Sequence, residues 1–130
     1  MKWGREMYQI DSQSRIPVYE QITEQTERYI LTGIFRSGDQ LQSVRSLSLK
    51  LRLNPNTVQR AYTELDRKGL IYTITGVGSY ISEDSLDILK GEKRKKLLKL
   101  IPQLKELALS GIQKFEMMEL IESVYKEENP

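Results

Sequence analysis

The sequence predicts an α+β fold in which three helices and a β-hairpin are followed by a small two-helix C-terminal domain. Apolar residues recur at helical spacing in the first half of the chain, whereas Leu70–Thr75 is β-branched and aromatic. After Ser82 the composition changes to Lys, Glu and Leu at helical spacing. We therefore expect an N-terminal tail at 1–13, a compact domain at 14–82 and a helical domain at 83–130.

Composition excludes several classes of function. The chain has 130 residues, 38% of them hydrophobic, which is enough for one packed domain with a short appendage. It contains neither Cys nor His, so thiolate nucleophiles, imidazole proton transfer and the usual thiolate or imidazole metal ligands are missing. No nucleophile–base pair stands out. We expect no enzyme activity, no cofactor and no metal.

The net charge and the apolar runs carry less information. A formal charge of +2 is too small to indicate a nucleic-acid partner by itself. No apolar run has the length of a signal peptide or of a membrane span. We expect a cytoplasmic protein with no membrane association.

Three helices are predicted before the hairpin. The first runs from Val18 to about Thr32 after Pro17, and its apolar stripe includes the polar Thr26. The second spans 43–51 with Ser43 as a plausible N-cap, and the third opens at Pro55. The third helix closes at Lys68-Gly69, and its predicted core positions are Val58, Ala61, Tyr62 and Leu65.

The hairpin and the C-terminal helices follow. Two β-prone pieces flank Gly76-Val77-Gly78, and the order helix, helix-turn-helix, hairpin is typical of a winged helix-turn-helix. Further on, Gly111 ends one helical stretch, and a second helix runs to about Lys126. Gly91 and Pro102 interrupt the first stretch, which is therefore either kinked at Pro102 or made of two helices.

Several motifs together resemble the GntR family of bacterial regulators. They are Pro17–Ile22, Leu41–Leu47, Asn54–Tyr62, Leu65, Gly69–Ile71 and Gly76–Ile81. The short C-terminal part and the Asn-Pro-Asn-Thr-Val string resemble the YtrA-like branch. The resemblance implies a sequence-specific DNA-binding transcription regulator, a dimeric repressor that binds double-stranded DNA at an inverted-repeat operator. The alternative is a winged helix that binds protein instead of DNA.

The chain departs from the family pattern at four positions. Gln42 stands where the family usually has Pro, and Pro55 and Gln59 stand where many members have Arg. Val77 lies between the wing glycines, where a basic residue is frequent. These departures shift the expected base contacts from Arg to Asn and Gln and predict a wing of weaker affinity.

The resemblance implies DNA contact by eight residues. They are Arg45, Asn54, Asn56, Thr57, Gln59, Arg60, Gly76 and Gly78. A guanidinium can hold phosphate or guanine, and an Asn or Gln amide can pair with adenine. The competing interpretations are a solvated Arg45, helix capping by Asn54 or Asn56, and a plain hairpin turn at the two glycines. Arg67 is expected to be solvated or paired with Glu64.

The C-terminal segment is implied to join two copies into a homodimer. The candidate interface residues are Leu97, Ile101, Leu104, Phe115, Met118 and Ile121. The basic run Lys90, Lys93, Arg94, Lys95, Lys96 and Lys99 favours the solvated face of a dimer helix over a second DNA patch. A small-molecule effector at the dimer junction stays an open alternative, but no sequence feature identifies one.

Overall fold

The structure is a computed structural model that describes residues 8–128, and these form six helices and one two-stranded sheet. The elements are α1 (Val18–Leu31), α2 (Val44–Leu51), α3 (Pro55–Arg67), β1 (Ile71–Ile74), β2 (Gly78–Ile81), α4 (Ser85–Leu98), α5 (Ile101–Leu109) and α6 (Lys114–Glu128). The predicted α+β class and the winged helix-turn-helix are confirmed. The chain divides into two compact units, and the boundary along the sequence lies between Gly91 and Glu92.

The core of the first unit is built from one face of each of its elements. Its buried apolar side chains are Tyr8, Ile22, Ile30, Phe35, Leu41, Leu47, Val58, Ala61, Tyr62, Leu65, Leu70, Ile71, Ile81 and Leu89. All four core positions predicted for α3 are among them, so the opposite side of that helix is left to solvent.

Local capping fixes where α2 and α3 begin. The Ser43 hydroxyl oxygen accepts the Ser46 N–H at 3.0 Å, and the Asn54 side-chain oxygen accepts the Asn56 N–H at 2.9 Å. Pro55 occupies the first turn of α3, where its missing N–H leaves no unsatisfied donor. Arg52 ends α2 in the left-handed conformation, with φ 56° and ψ 47°. The tight turn of the helix-turn-helix follows from Arg52, Asn54 and Pro55.

Residues 8–13, which the sequence predicts as part of an N-terminal tail, contact α1 of the first unit. Tyr8 is buried, and its hydroxyl lies 2.8 Å from the Thr26 hydroxyl. The Gln21 amide donates to the Asp11 carbonyl at 2.9 Å, and its oxygen accepts the Asp11 N–H at the same distance. The first seven residues of the predicted tail lie outside the described part of the chain.

The hairpin packs its base into the core and leaves its tip free. The register pairs Ile71 with Ile81 and Ile74 with Gly78, so a three-residue turn joins the strands. Ile71 and Ile81 are buried, and the Val77 N–H donates to the Ile74 carbonyl at 2.9 Å. The turn is exposed, as a wing requires.

The long C-terminal stretch divides into two helices, which settles the alternative left open at Pro102. The chain leaves α4 after Leu98, and Pro102 lies in the first turn of α5. Three helices, one more than expected, therefore follow the hairpin. The first unit also extends past Ser82 to Gly91, because Ser85 and Leu89 at the start of α4 are buried.

Among residues 8–128, no helix is long and apolar enough to cross a membrane.

Candidate nucleic-acid interface

The exposed side of α3 brings several of the predicted contact residues together. Asn56, Gln59, Arg60 and Thr63 are exposed and lie away from the buried face of the helix. Their side chains offer amide, hydroxyl and guanidinium groups, which together can donate and accept hydrogen bonds at base edges and phosphates. Thr63 was not predicted, although its four-residue spacing from Gln59 places it on this face.

Asn54 acts as the N-cap of α3, so the capping alternative is confirmed for this residue. Its side-chain oxygen is occupied by the Asn56 N–H, and its carbonyl accepts the Thr57 N–H at 2.9 Å. The Asn56 side chain makes no hydrogen bond within residues 8–128 and is exposed. Of the two asparagines, Asn56 is thus the one whose whole amide is available to a partner.

Gln59 lies in a groove between α3 and the hairpin. This groove has a volume of about 490 Å³ and reaches from Gln59 and Thr63 to Thr73 and Ser79 on the two strands. The Gln59 amide donates to the Thr63 hydroxyl at 3.3 Å, and the Thr73 and Ser79 hydroxyl oxygens are 2.8 Å apart. These uncharged hydrogen-bonding groups suit recognition of base edges, and the charged Asp66 and Arg67 also line the groove.

Arg60 is held on the other flank of α3. Its guanidinium carbon lies 3.9 Å from the centroid of the Tyr19 ring, which places the cation over the aromatic face. A second groove, of about 440 Å³, is formed here by the start of α1 with Asn56, Thr57 and Arg60. Sequence spacing does not relate Tyr19 to Arg60, which lies on another helix, so this contact was not anticipated.

Arg45 and Arg67 have different environments. Arg45, near the start of α2, is exposed and makes no hydrogen bond or ion pair with the described part of the chain. Arg67 is paired with Glu64 at 2.8 Å, which confirms the ion-pair interpretation. The hydrogen bond from Arg67 lowers the pKa of Glu64 and raises the pKa of Arg67. Of these two arginines, Arg45 is the one that keeps its donors available.

At both wing glycines, Gly76 and Gly78, the backbone conformation is one that other residues rarely adopt. Gly76 has a φ of 78°, and a Cβ there would meet nothing within 4 Å, so only the turn conformation requires glycine. At Gly78 a Cβ would lie 2.5 Å from the Gln40 amide nitrogen, which is 3.4 Å from the Val77 carbonyl oxygen. The Gln40 amide is the end of a flexible, exposed side chain and can move, so the φ of 152° is what requires glycine at Gly78. Gln40 was missed because it lies far away in sequence.

The six predicted interface residues of the C-terminal segment are exposed. Their exposed fractions run from 42% at Leu104 to 65% at Phe115. Among the described residues of α5 and α6 no side chain is buried. The six cations of the basic run are also exposed. These helices leave a large apolar surface in water, which is typical of a protein–protein interface.

Within residues 8–128, no group of three or more acidic, His or Cys residues could hold a metal ion.

Comparison with known proteins identifies the family. Residues 18–81 match the family described as "Bacterial regulatory proteins, gntR family". The chain is 45% identical over 105 residues to the HTH-type transcriptional repressor YtrA of Bacillus subtilis, covering 81% of this chain and 78% of that protein.

Two solved structures have the same architecture. A GntR family transcriptional regulator from Listeria monocytogenes superposes with a TM-score of 0.69 at 35% identity, covering 88% of this chain and 98% of that one. YtrA from Sulfolobus acidocaldarius, a GntR-family transcription factor, gives a TM-score of 0.62 at 27% identity, covering 75% and 99%.

The similarity to YtrA is longer than the winged helix-turn-helix itself, which confirms the resemblance to the YtrA-like branch. The relatives of the chain are transcription regulators and not enzymes, as expected. The chain is a DNA-binding transcription regulator with a winged helix-turn-helix, and it belongs to the GntR family of bacterial regulatory proteins.

Proposed function

We propose that two copies of the chain bind an inverted-repeat operator as a repressor, each inserting α3 into a major groove. The observation that carries the proposal is the exposed polar face of α3. Asn56 and Gln59 present their amides on this face, and the opposite face of the same helix packs into the core. Each amide can pair bidentately with adenine, and the Thr57 hydroxyl can bond a phosphate or contact a thymine methyl. Arg45 anchors the complex through a phosphate or a guanine.

The dimer rests on the apolar surface of α5 and α6. Helices with no buried side chain gain little stability from packing, so a second copy that covers Leu104, Phe115 and Ile121 would supply the missing core. The similarity to YtrA, a repressor, reaches beyond the winged helix-turn-helix and supports a shared use of this region. A twofold dimer binds half-sites related by the same symmetry.

In this proposal the two recognition helices enter major grooves about one helical turn apart, roughly 34–36 Å. A protein bound there prevents polymerase from occupying the promoter. Because the proposed target is operator DNA, we infer that the protein acts in the cytoplasm, where such DNA lies.

Selection of bound sequences from random DNA tests the proposal. We expect an inverted repeat, with A·T pairs at the positions that Asn56 and Gln59 contact. Binding of the selected operator is then measured at fixed salt for Asn56→Ala and Arg45→Ala. Asn56→Ala should relax the preference at one position per half-site, whereas Arg45→Ala should weaken binding and reduce the salt slope by about 1 if it contacts phosphate.

Arg28→Ala is the matched control, since Arg28 is an exposed cation in the last turn of α1. It removes the same charge at the end of α1 remote from Tyr19. Purely non-specific selection, or unchanged binding and preference for both Asn56→Ala and Arg45→Ala, would contradict the assignment.

A further inference from the structure

Arg60 and Tyr19 form a fixed unit at the start of α1. The guanidinium carbon lies 3.9 Å from the ring centroid, well inside the range of a cation–π contact. Tyr19 is itself held in place, because it is half-buried against the core and its hydroxyl donates to the Glu20 carboxylate at 3.2 Å. A long and otherwise flexible cation is therefore held against a fixed ring.

The charged groups around this unit leave the guanidinium edge available. The Glu20 carboxylate accepts a hydrogen bond from the Tyr19 hydroxyl, and Glu64 forms an ion pair with Arg67. Within residues 8–128 no carboxylate forms an ion pair with Arg60. A cation–π contact does not pair the guanidinium N–H groups with an anionic partner as an ion pair would, so these donors can still hold an anion.

The groove beside the unit has two unlike walls. Asn56 and Thr57 from α3 supply polar groups on one side, and Pro17 and Val18 supply apolar surface on the other. A DNA strand presents the same alternation, since each charged phosphate is joined to a deoxyribose with apolar C–H groups. The groove has a volume of about 440 Å³ and is open to solvent.

The geometry points to a sugar–phosphate site in which Tyr19 is a positioning residue that orients Arg60 toward a backbone phosphate of the operator. This inference rests on the proposal that α3 lies against DNA. A free arginine loses conformational freedom when it binds, and the stack has already removed much of that freedom. An oriented guanidinium can also bond two phosphate oxygens at once. Arg60 then contributes affinity without sequence preference.

Four variants of the full chain test the site: Tyr19→Leu, Tyr19→Phe, Arg60→Ala and the double variant Tyr19→Leu/Arg60→Ala. Binding is measured by fluorescence anisotropy over a salt series, on the selected operator and on a random-sequence duplex. Tyr19→Leu should weaken both complexes by roughly two- to fivefold, as expected for loss of an exposed cation–π contact. Tyr19→Phe keeps the ring and should bind like the wild type.

Arg60→Ala should weaken both complexes and reduce the salt slope by about 1. Adding Tyr19→Leu to Arg60→Ala should have no further effect, whereas a merely structural tyrosine would weaken binding equally in either background. The inference would be overturned if Tyr19→Leu weakened binding equally in the wild-type and Arg60→Ala backgrounds. It would also be overturned if Tyr19→Leu left binding unchanged or altered the base preference. A failed operator selection would count against the proposed function alone, because the random duplex still reports the phosphate contact.

Discussion

Replacing Asn54 with alanine should destabilise the first unit by about 1 kcal/mol, because it removes the N-cap of α3. The cap is one hydrogen bond, 2.9 Å long, from the Asn56 N–H to the Asn54 side-chain oxygen. Loss of such a cap costs about 0.5–2 kcal/mol. For a domain of this size, 1 kcal/mol lowers the Tm by roughly 4–8 °C. Thermal unfolding followed by circular dichroism at one protein concentration measures the shift.

Asn54→Ser is the matched control, because serine caps helices about as well as asparagine but cannot pair bidentately with a base. We expect Asn54→Ser to keep the wild-type Tm and the wild-type sequence preference. If Asn54→Ala unfolds at the wild-type temperature, the capping interpretation is refuted. If Asn54→Ser is stable but loses sequence preference, Asn54 contacts bases as well as capping the helix.

Three further predictions concern stability. Gly78→Ala should destabilise by about 1–2 kcal/mol in urea unfolding, because alanine strains the backbone at a φ of 152°. Arg52→Gly should stabilise by about 0.5–1 kcal/mol in the same assay, because it relieves a left-handed arginine. Burial raises the pKa of Tyr62, so stability should fall as pH rises above about 10, where unfolded tyrosine ionises. Tyr62→Phe should show a smaller fall, and an equal fall would contradict the assignment.

The helices of the first unit could be predicted almost to the residue, because independent local features coincide. The apolar stripe of α3 begins just after Pro55 and ends just before Gly69, and both residues also favour helix ends. Ser43 capped α2 as predicted. Where spacing and capping agree, tertiary contacts change little.

The segment that precedes α1 could not be predicted, because its contacts are long-range. Tyr8 pairs with Thr26, 18 residues away, and the Gln21 amide bonds backbone groups of the segment. Neither contact leaves a periodic pattern. The one indication was Thr26 itself, since a polar residue within an apolar stripe needs a buried hydrogen-bond partner.

The same limit applies to the candidate site. Residue types at the start of α3 predicted which side chains are exposed, and the structure places Asn56, Gln59 and Arg60 accordingly. The use of each side chain depends on other elements, as with Arg60 over Tyr19. Sequence spacing specifies a helix face, but a partner from another helix requires the folded chain.

The C-terminal segment was predicted as helical, but its division was not. Helical spacing continues from Leu97 through Leu104 although the helix stops between them, so the apolar pattern alone does not reveal the break. Pro102 marks the region, and proline is compatible both with a kink and with a new first turn.

The spacing of half-sites tests the central claim most directly. Binding stoichiometry and affinity are measured on the selected operator and on a version with about five extra base pairs, half a helical turn, between the half-sites. Two copies joined through α5 and α6 should bind to one duplex as a pair. They should lose most of their affinity for the longer version, because its half-sites lie on opposite faces of the duplex. One copy per duplex, or affinity that is independent of spacing, would contradict the account.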